Sequence, residues 1–249
     1  MPQQITLVGI GMGNPDHLTA AAMRAIAEAK AILLPRKGAG KDDLAQLREA
    51  LIDHCGSKAQ ILYFDYPLRD ETRPYIERVN LWHDEIAARW QAAIVDAGVT
   101  GPVALLVWGD PALYDSTMRI ASRLQPKPQL QVIPGLTAPQ ILTAAHQVPI
   151  NRLNGQVTIT TGRRLRDHGW PEGADSVAVM LDGDLSFRQL DLTGLHIWWG
   201  AFLGMPEQIL IEGPAAQVAQ DIAEARASAR ADHGWIMDTY LLKKMAQGA

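Results

Sequence analysis

The chain has 249 residues, 47% of them hydrophobic, which suits one large or two small domains with a substantial core. Its net charge of -4 provides no overall positive footprint for nucleic acid or an anionic membrane, and no apolar run reaches the length that crosses a bilayer. The single cysteine, Cys55, excludes an internal disulfide and a site built from several cysteines, so we predict no metal site and a reducing compartment.

A glycine-rich loop at residues 9–19, with three glycines at alternate positions, is the first distinctive feature of the chain. The apolar run before it, residues 5–8, predicts a buried strand, and the alanine-rich run at 20–30 predicts a helix. Thr19 is suited to cap that helix. Glycine permits a positive φ and the close approach of another segment, so the loop is either a binding loop or a structural turn.

A dinucleotide-binding loop is one interpretation of this stretch. That fingerprint has glycines at relative positions one, three and six, and an acidic residue about 20 residues further on. Here position six is Asn14, and the next predicted strand, residues 31–34, runs into Pro35, Arg36 and Lys37. A basic strand end fits a ribose hydroxyl poorly, which disfavours a nicotinamide-binding oxidoreductase.

Helices and strands alternate through the first half of the chain. The pattern predicts a helix from 42 to about 56, a strand at 59–64, and a charged loop with two prolines at 65–75. The next apolar residues recur at helical spacing and predict a long helix that ends near Gly98. His83 lies at the edge of its apolar stripe, where we expect an ordinary, partly exposed side chain.

A second distinctive loop, residues 109–116, follows the apolar run 102–108, which is typical of a strand covered on both faces. In open α/β sheets, ligands bind outside the carboxyl ends of the strands, so the first and second loops are candidates to share a site. A further strand at 130–133 leads to a third loop, in which Thr137 is suited to cap the next helix.

The alternation weakens in the second half of the chain, where strands follow one another in series. The predicted strands there are 156–161, 176–181, 196–203, 208–212 and 235–242, and the predicted helical stretches are 187–190 and 215–231. Strands in series indicate an antiparallel or mixed sheet. We therefore predict two α/β domains, residues 1–134 with a mostly parallel sheet and residues 135–249 with a mixed or antiparallel one.

Three motifs, taken in order, resemble those of the tetrapyrrole (corrin/porphyrin) methyltransferases. They are Gly9-x-Gly11-x-Gly13-Asn14-Pro15, Trp108-Gly109-Asp110-Pro111-x-x-Tyr114 and Pro134-Gly135-x-Thr137-Ala138. Each motif alone is weak, and their common order and spacing is the specific signal. A looser similarity at 204–208 extends the resemblance over nearly the whole chain. The aspartate usual in the first motif is Asn14 here, which keeps the hydrogen-bonding geometry and loses the charge.

This resemblance implies an enzyme that uses S-adenosyl-L-methionine, releases S-adenosyl-L-homocysteine, and holds the cofactor in a cleft between the two domains. It carries cofactor binding to Gly109, Asp110, Leu113, Tyr114, Thr137, Ala138, Met180, Leu181 and Leu203. The first loop, with Gly11, would form the floor of a substrate trough. Methyl transfer from a sulfonium is an in-line displacement, so positioning supplies most of what the protein contributes.

Within that family, segments 34–37 and 66–70 and the helix with Trp82 and His83 are similar to a branch that methylates C1 of precorrin-5. That branch expels the acetyl group of its substrate as acetate, in the route to cobalamin. Such a substrate carries many carboxylates, which arginine and lysine on loops can bind. The candidates are Arg36, Lys37, Arg69 and Arg73, and in the second domain Arg163, Arg164 and Arg166.

Loss of the acetyl group needs water and a proton acceptor or donor. The catalytic candidates are Tyr114, Asp70 and His83, with Asp16 as a further carboxylate in the first loop. The sequence alone does not rank these four side chains.

Besides the disfavoured nicotinamide-binding oxidoreductase, two other interpretations stay open. A sibling methyltransferase that acts on another ring carbon would share the cofactor loops, and a tetrapyrrole carrier without activity would share the fold. The intact second loop argues against a mere carrier, which needs no sulfonium site. The resemblance also implies a homodimer, and we expect a cytoplasmic enzyme with no nucleic-acid or membrane partner.

Overall fold

The computed structural model describes residues 4–36, 42–68, 70, 72–234 and 236–245. It divides the chain into two compact units, Met1–Leu136 and Thr137–Ala249, each with its own five-stranded sheet. None of the helices in these described ranges is long and apolar enough to cross a membrane.

The first unit alternates strands and helices. Its elements are β1 (Gln4–Gly9), α1 (Ala20–Glu28), β2 (Ala31–Arg36), α2 (Asp42–His54), β3 (Gln60–Asp65), α3 (Tyr75–Asp96), β4 (Val103–Val107), α4 (Thr117–Ala121) and β5 (Gln129–Ile133). The strand order is β3-β2-β4-β1-β5, and every pair of neighbours is parallel. All the loops that follow these strands therefore leave from one edge of the sheet.

Two apolar clusters cover the opposite faces of this sheet, because successive residues of a strand point to opposite sides. Leu7 and Leu105 pack with helices α3 and α4 on one face. Val8 and Leu106 pack with α1 and α2 on the other. All five residues of β4 are buried, because both faces of the sheet are covered, and its sequence is therefore an unbroken apolar run.

Local signals set the ends of two helices as predicted. The Thr19 hydroxyl accepts a hydrogen bond from the Ala22 amide at 3.0 Å and caps α1. Helix α3 ends at Asp96, and Gly98 follows with a φ of 63°, a conformation that glycine adopts without strain.

Helix α3 corrects one prediction about its own face. Ile86, Trp90 and Ile94 are buried in the core, as their spacing predicts. His83 is buried with them and is only 3% exposed, so the expectation of a partly exposed histidine is wrong. It precedes Ile86 by three residues, a spacing that places both side chains on the same face of a helix.

The second unit contains a mixed sheet, as predicted. Its elements are α5 (Ala138–Ala145), β6 (Val157–Thr161), α6 (Gly162–His168), β7 (Ser176–Met180), β8 (Leu195–Ala201), β9 (Ile209–Pro214), α7 (Ala215–His233) and β10 (Asp238–Lys244), with a 3₁₀ turn at Ser186–Gln189. The strand order is β6-β7-β10-β8-β9, in which only the β6–β7 pair is parallel.

Helices α5 and α7 cover opposite faces of this second sheet. A β-carbon at Gly200 would meet Leu142 of α5, and a β-carbon at Gly213 would meet Val218 of α7. Gly213 pairs with Ile197, three residues before Gly200 on β8, so the two glycines face opposite sides. The missing side chains let each helix approach the sheet closely.

One helix of the second unit was not predicted. Residues 162–168 form α6, whereas the sequence pattern indicated only that Arg163, Arg164 and Arg166 follow a strand. The Thr161 hydroxyl accepts from the Arg164 amide, so a side chain at the strand end starts the helix. A seven-residue helix with one buried apolar side chain, Leu165, is too short to show a periodic pattern.

Candidate functional site

The first and second glycine loops and the third loop meet at the carboxyl edge of the parallel sheet. Their backbones are in direct contact at Gly9, Gly109 and Gly135. A β-carbon on Gly135 would lie 2.3 Å from the Gly109 carbonyl oxygen, and one on Gly9 would lie 2.5 Å from the Gly135 nitrogen. Only glycine fits at such backbone crossings, so these residues bring the three loops together.

The first and second loops are also hydrogen-bonded to each other. Gly11 and Gly109 form an isolated antiparallel bridge, in which the Gly109 amide donates to the Gly11 carbonyl at 2.7 Å. Both residues have positive φ, 60° and 66°. The predicted substrate residue Gly11 and the predicted cofactor residue Gly109 are therefore adjacent.

Asp110 fastens the third loop to the second. One carboxylate oxygen accepts from the Gly135 amide at 3.0 Å, and the other accepts from the Ala112 amide at 2.8 Å. Leu113 closes the same turn, since its amide donates to the Asp110 carbonyl at 3.1 Å. Asp110 thus shapes the loop through its side chain.

Tyr114 is the strained residue of the second loop. Its φ is 51°, which side-chain-bearing residues rarely adopt, and its side chain is 44% exposed. Such a conformation persists only where the surrounding structure enforces it, and residues of this kind cluster at functional sites. Of the three predicted catalytic residues, Tyr114 is the one that belongs to this loop cluster.

The first loop contains a histidine that the sequence analysis did not single out. The Asn14 side chain accepts from the Asp16 amide at 2.8 Å and holds a single 3₁₀ turn, Pro15–His17. The His17 side chain packs against Gly11, since a β-carbon on Gly11 would lie 3.0 Å from the His17 Cβ. The Nδ1 atom of His17 is buried without a hydrogen-bond partner. Burial lowers the pKa of His17, and the exposed Asp16 beside it partly opposes this effect.

A buried arginine at this edge was also missed. Arg48 of α2 is 8% exposed, its Nε donates to the Leu106 carbonyl at 3.4 Å, and its guanidinium lies 4.7 Å from the Trp108 ring centre. Burial lowers the pKa of Arg48 to about 10, and the nearby Tyr66 and Asp115 partly oppose this shift. The sequence signal was present, because residue 48 shares the helix face that buries Leu51 and Ile52.

The predicted basic residues have different surroundings. Arg36, at the end of β2, is exposed and lies 5.7 Å from the Tyr63 ring centre. Arg73 is half-exposed and pairs with two carboxylates, Asp70 at 3.0 Å and Glu77 at 2.6 Å. A substrate carboxylate would compete with both partners of Arg73. Lys37 and Arg69 lie outside the described residues.

The other two predicted catalytic residues are not part of the loop cluster. Hydrogen bonds from Thr72 and Arg73 lower the pKa of Asp70, which keeps this half-exposed side chain a carboxylate at neutral pH. A carboxyl group with a lowered pKa is ionised at neutral pH, so Asp70 can act only as a weak base and has no proton to donate as a general acid. His83 is buried on α3, where its ring lies 5.8 Å from that of Trp82.

In the second unit, the predicted cofactor residues of the sheet share one edge. Strands β7 and β8 are both antiparallel to β10, so their carboxyl ends, with Met180, Leu181 and Leu203, lie on the same side. Leu181 has a φ of 52° and is 66% exposed, whereas Leu203 is buried. Phe202, next to Leu203, has a φ of 50°, so both strands end in a strained residue.

A buried polar network lies behind this edge. Asp182 accepts from the Tyr240 hydroxyl at 2.6 Å and from the Ser186 amide at 2.7 Å. Asp238 accepts from Arg226 at 3.0 Å and from the Trp199 indole at 3.0 Å. Burial raises the pKa of Asp238 and, with the adjacent Asp182 carboxylate, that of Tyr240. The network ties the residue after Leu181 to β10.

Thr137 and Ala138 stand at the start of α5. The Gln140 side-chain oxygen accepts from both the amide and the hydroxyl of Thr137, each at 2.8 Å. Ala138 is buried in the first turn. Among the other arginines, Arg166 pairs with Asp167 and Asp184, both at 3.0 Å.

The first unit has a doubly wound parallel sheet, and its glycine loops are joined by backbone contacts and hydrogen bonds. The second unit has a mixed sheet. The chain belongs to the tetrapyrrole (corrin/porphyrin) methylases, whose family model matches residues 4–219. It is 41% identical to a Sinorhizobium protein named precorrin-6A synthase (deacetylating), in an alignment of 252 positions that covers 98% of this chain and 96% of the relative.

Solved structures agree with this assignment. A cobalamin synthesis related protein (CobF) of Corynebacterium diphtheriae superposes with a TM-score of 0.82 at 36% identity, covering 99% of this chain and 100% of the other. A uroporphyrin-III C-methyltransferase of Thermus thermophilus, complexed with S-adenosylhomocysteine, superposes with a TM-score of 0.59 at 16% identity, covering 96% and 92%. The second likeness shows the shared fold alone. The predicted fold class of two α/β units is confirmed.

Proposed function

We propose that the chain is an S-adenosyl-L-methionine-dependent methyltransferase of cobalamin biosynthesis. It transfers the methyl group of S-adenosyl-L-methionine to C1 of precorrin-5, and water cleaves the acetyl group off as acetate, which gives precorrin-6A and S-adenosyl-L-homocysteine. The observation that carries this proposal is the 41% identity, over 98% of the chain, with a protein named for that activity. The joined glycine loops of the first unit support this proposal, because they contain the motifs that resemble the family.

The cofactor, when bound, supplies an electrophilic methyl group, and the nucleophile is the electron-rich macrocycle carbon. The protein therefore contributes mainly by holding the reactants in line. Backbone held in strained conformations suits this task, and it occurs at Tyr114 in the second loop and at Leu181 and Phe202, which directly follow β7 and β8. The proposed cofactor residues are Gly109, Asp110, Leu113 and Tyr114 in the first unit and Thr137, Ala138, Met180, Leu181 and Leu203 in the second.

Gly11 and the basic residues Arg36, Lys37, Arg69 and Arg73 are proposed to bind the tetrapyrrole. Arg36 fits this role well, since it is exposed at the carboxyl edge and no carboxylate of the described chain pairs with it. Arg73 would have to release Asp70 or Glu77 first. Lys37 and Arg69 remain candidates from the sequence.

Tyr114 is our first choice for the proton transfer that accompanies acetate release. Its exposed ring stands in the loop cluster, whereas His83 is buried and Asp70 is held as a carboxylate. Tyr114→Phe removes only the hydroxyl. Because the backbone and ring of this proposed cofactor residue are kept, we expect cofactor binding to change little. Acetate release should slow by about 100-fold or more.

We also propose that the enzyme is a cytoplasmic homodimer. The single cysteine, Cys55, supports a reducing compartment, and the family resemblance supports the dimer. Sedimentation equilibrium of the purified chain tests the oligomeric state.

The function is tested with methyl-labelled S-adenosylmethionine and enzymatically prepared precorrin-5. Label in the macrocycle and free acetate are followed in the same incubation. We expect equal amounts of both. Label without acetate would indicate a sibling methyltransferase acting on another carbon, and neither product, despite cofactor binding, would refute the substrate assignment.

A further inference from the structure

Arg48 stands at the same edge of the sheet as the glycine loops, and the reaction described so far gives it no role. Helix α2 directs its side chain to the carboxyl end of β4, where Nε donates to the carbonyl of Leu106. Its Nη1 donates to the Leu44 carbonyl one turn earlier in the helix at 3.3 Å. The guanidinium is stacked near Trp108, the residue immediately before the Gly109-Asp110-Pro111 motif.

The charge of Arg48 has no carboxylate partner within 4 Å among the side chains that the structure describes. Asp115 raises the pKa of Arg48 through its charge but forms no ion pair with it among the described residues, and its carboxylate accepts from the amide and hydroxyl of Thr117. Two carbonyls and an indole ring do not neutralise a guanidinium. An ion held in the interior without an opposite charge is strongly disfavoured, so its retention indicates an anionic ligand.

We propose that Arg48, stacked near Trp108, binds a carboxylate arm of the tetrapyrrole and is a specificity-determining residue for it. This inference rests on the proposed function for its substrate. Contact with the Trp108 ring orients the guanidinium, and its bonds to the two carbonyls use Nε and one N–H of Nη1. The second N–H of Nη1 and the N–H groups of Nη2 are left to form two parallel hydrogen bonds to a carboxylate. The half-exposed ring of Tyr66, stacked on Trp82 with ring centres 5.7 Å apart, lies near this charge, as Asp115 does.

Burial makes Arg48 a stronger anchor than the exposed arginines. Water and salt screen Arg36 and Arg73 at the surface, and Arg73 already has two carboxylate partners. The environment of Arg48 is drier, so a hydrogen-bonded carboxylate there is screened less. An arm bound at Arg48 would also lie near Trp108, the residue before the second loop, which would link substrate position to the proposed cofactor residues.

The test compares Arg48→Met, Arg48→Lys and the control Arg123→Met. Arg123 is also partly buried, but it pairs with Asp84 at 2.6 Å and with Asn80, on helix α3. We measure the KM for precorrin-5, the Kd for S-adenosylmethionine and the Tm of each variant. We expect Arg48→Met to raise the KM for precorrin-5 by about 10- to 100-fold and to change the cofactor Kd by less than about threefold.

The remaining readouts separate ligand binding from packing. Arg48→Met is expected to keep or raise the Tm, because it removes a buried charge without a partner. Arg48→Lys is expected to give an intermediate KM, since an ammonium group cannot form the bidentate pair. A lower Tm in Arg48→Met, with the KM unchanged or both ligands weakened in parallel, would show that Arg48 is a packing residue and would overturn the proposal.

A second probe separates this inference from the proposed function. If wild type fails to convert precorrin-5, the proposed function is wrong, and fluorescence titration with uroporphyrin III still tests Arg48. This tetrapyrrole has acetate and propionate arms. Weaker binding to Arg48→Met than to wild type and Arg123→Met would support the carboxylate site, and equal binding to all three would refute it.

Discussion

A methyl group added at Gly135 tests the glycine junction of the loops most directly. In Gly135→Ala the new Cβ would lie 2.3 Å from the Gly109 carbonyl oxygen and 2.6 Å from the Gly9 carbonyl carbon. Both atoms belong to backbone, which cannot rotate away as a side chain can. The φ of Gly135 is not positive, so the whole effect of this substitution is steric.

The expected loss of stability follows from this overlap. Overpacking a well-packed site typically costs about 1–3 kcal/mol, and we expect about 3 kcal/mol here because backbone must move. For a chain of this size, about 1 kcal/mol corresponds to roughly 2–4 °C, so the Tm should fall by roughly 6–12 °C. The shift also breaks the hydrogen bond from the Gly135 amide to Asp110, now 3.0 Å long.

Thermal unfolding and methyl transfer measure the two consequences separately. Displacing the Asp110 loop by about 1 Å should lower kcat by roughly 100-fold, because methyl transfer depends on alignment. Gly183→Ala is the stability control, since nothing lies within 4 Å of its Cβ position and its φ is not positive. We expect its Tm to stay within about 2 °C of wild type. A stable, fully active Gly135→Ala would refute the reasoning.

Three further substitutions test buried polar groups. Burial lowers the pKa of His17 in the folded state, so wild type should lose stability relative to His17→Gln as the pH falls through about 6.5, measured as Tm against pH. Tyr240→Phe removes a donor from the buried Asp182 and should cost about 1–3 kcal/mol in urea unfolding. Arg226→Met leaves the buried Asp238 carboxylate without its ion-pair partner and should lower the free energy of unfolding by about 3–5 kcal/mol at neutral pH. The loss should shrink as the pH falls and Asp238, whose pKa is raised by burial, takes up a proton.

Tyr240→Phe has a matched control, and the His17→Gln prediction has an outcome that would contradict it. Tyr63→Phe removes a similar hydroxyl bond, 2.7 Å to Glu49, at a position that is 40% exposed, and should cost less than about 1 kcal/mol. A flat difference between wild type and His17→Gln from pH 8 to 5 would contradict the assigned burial effect. Equal losses in Tyr240→Phe and Tyr63→Phe would show that the Asp182 network adds nothing beyond a surface bond.

The order of elements was accessible from the sequence because it depends on local signals. Apolar runs such as 103–107, the Thr19 cap and the glycine after α3 act over a few residues, and each element they predict is present. Helix α6 was not predicted, because seven residues with a single buried apolar side chain show no hydrophobic periodicity. The predicted cofactor and catalytic residues remain predictions, and the structure adds that Tyr114 and Leu181 are strained.

The sequence by itself determined the alternation of strands and helices, the change to a strand series in the second half, and the three glycine loops that carry the family resemblance. Only the tertiary structure decided what those glycines contact, as at Gly9 and Gly135, which are 126 positions apart and touch through backbone. It also decided that His83 and Arg48 are buried. Burial and backbone contact depend on residues distant in sequence, which no local pattern records.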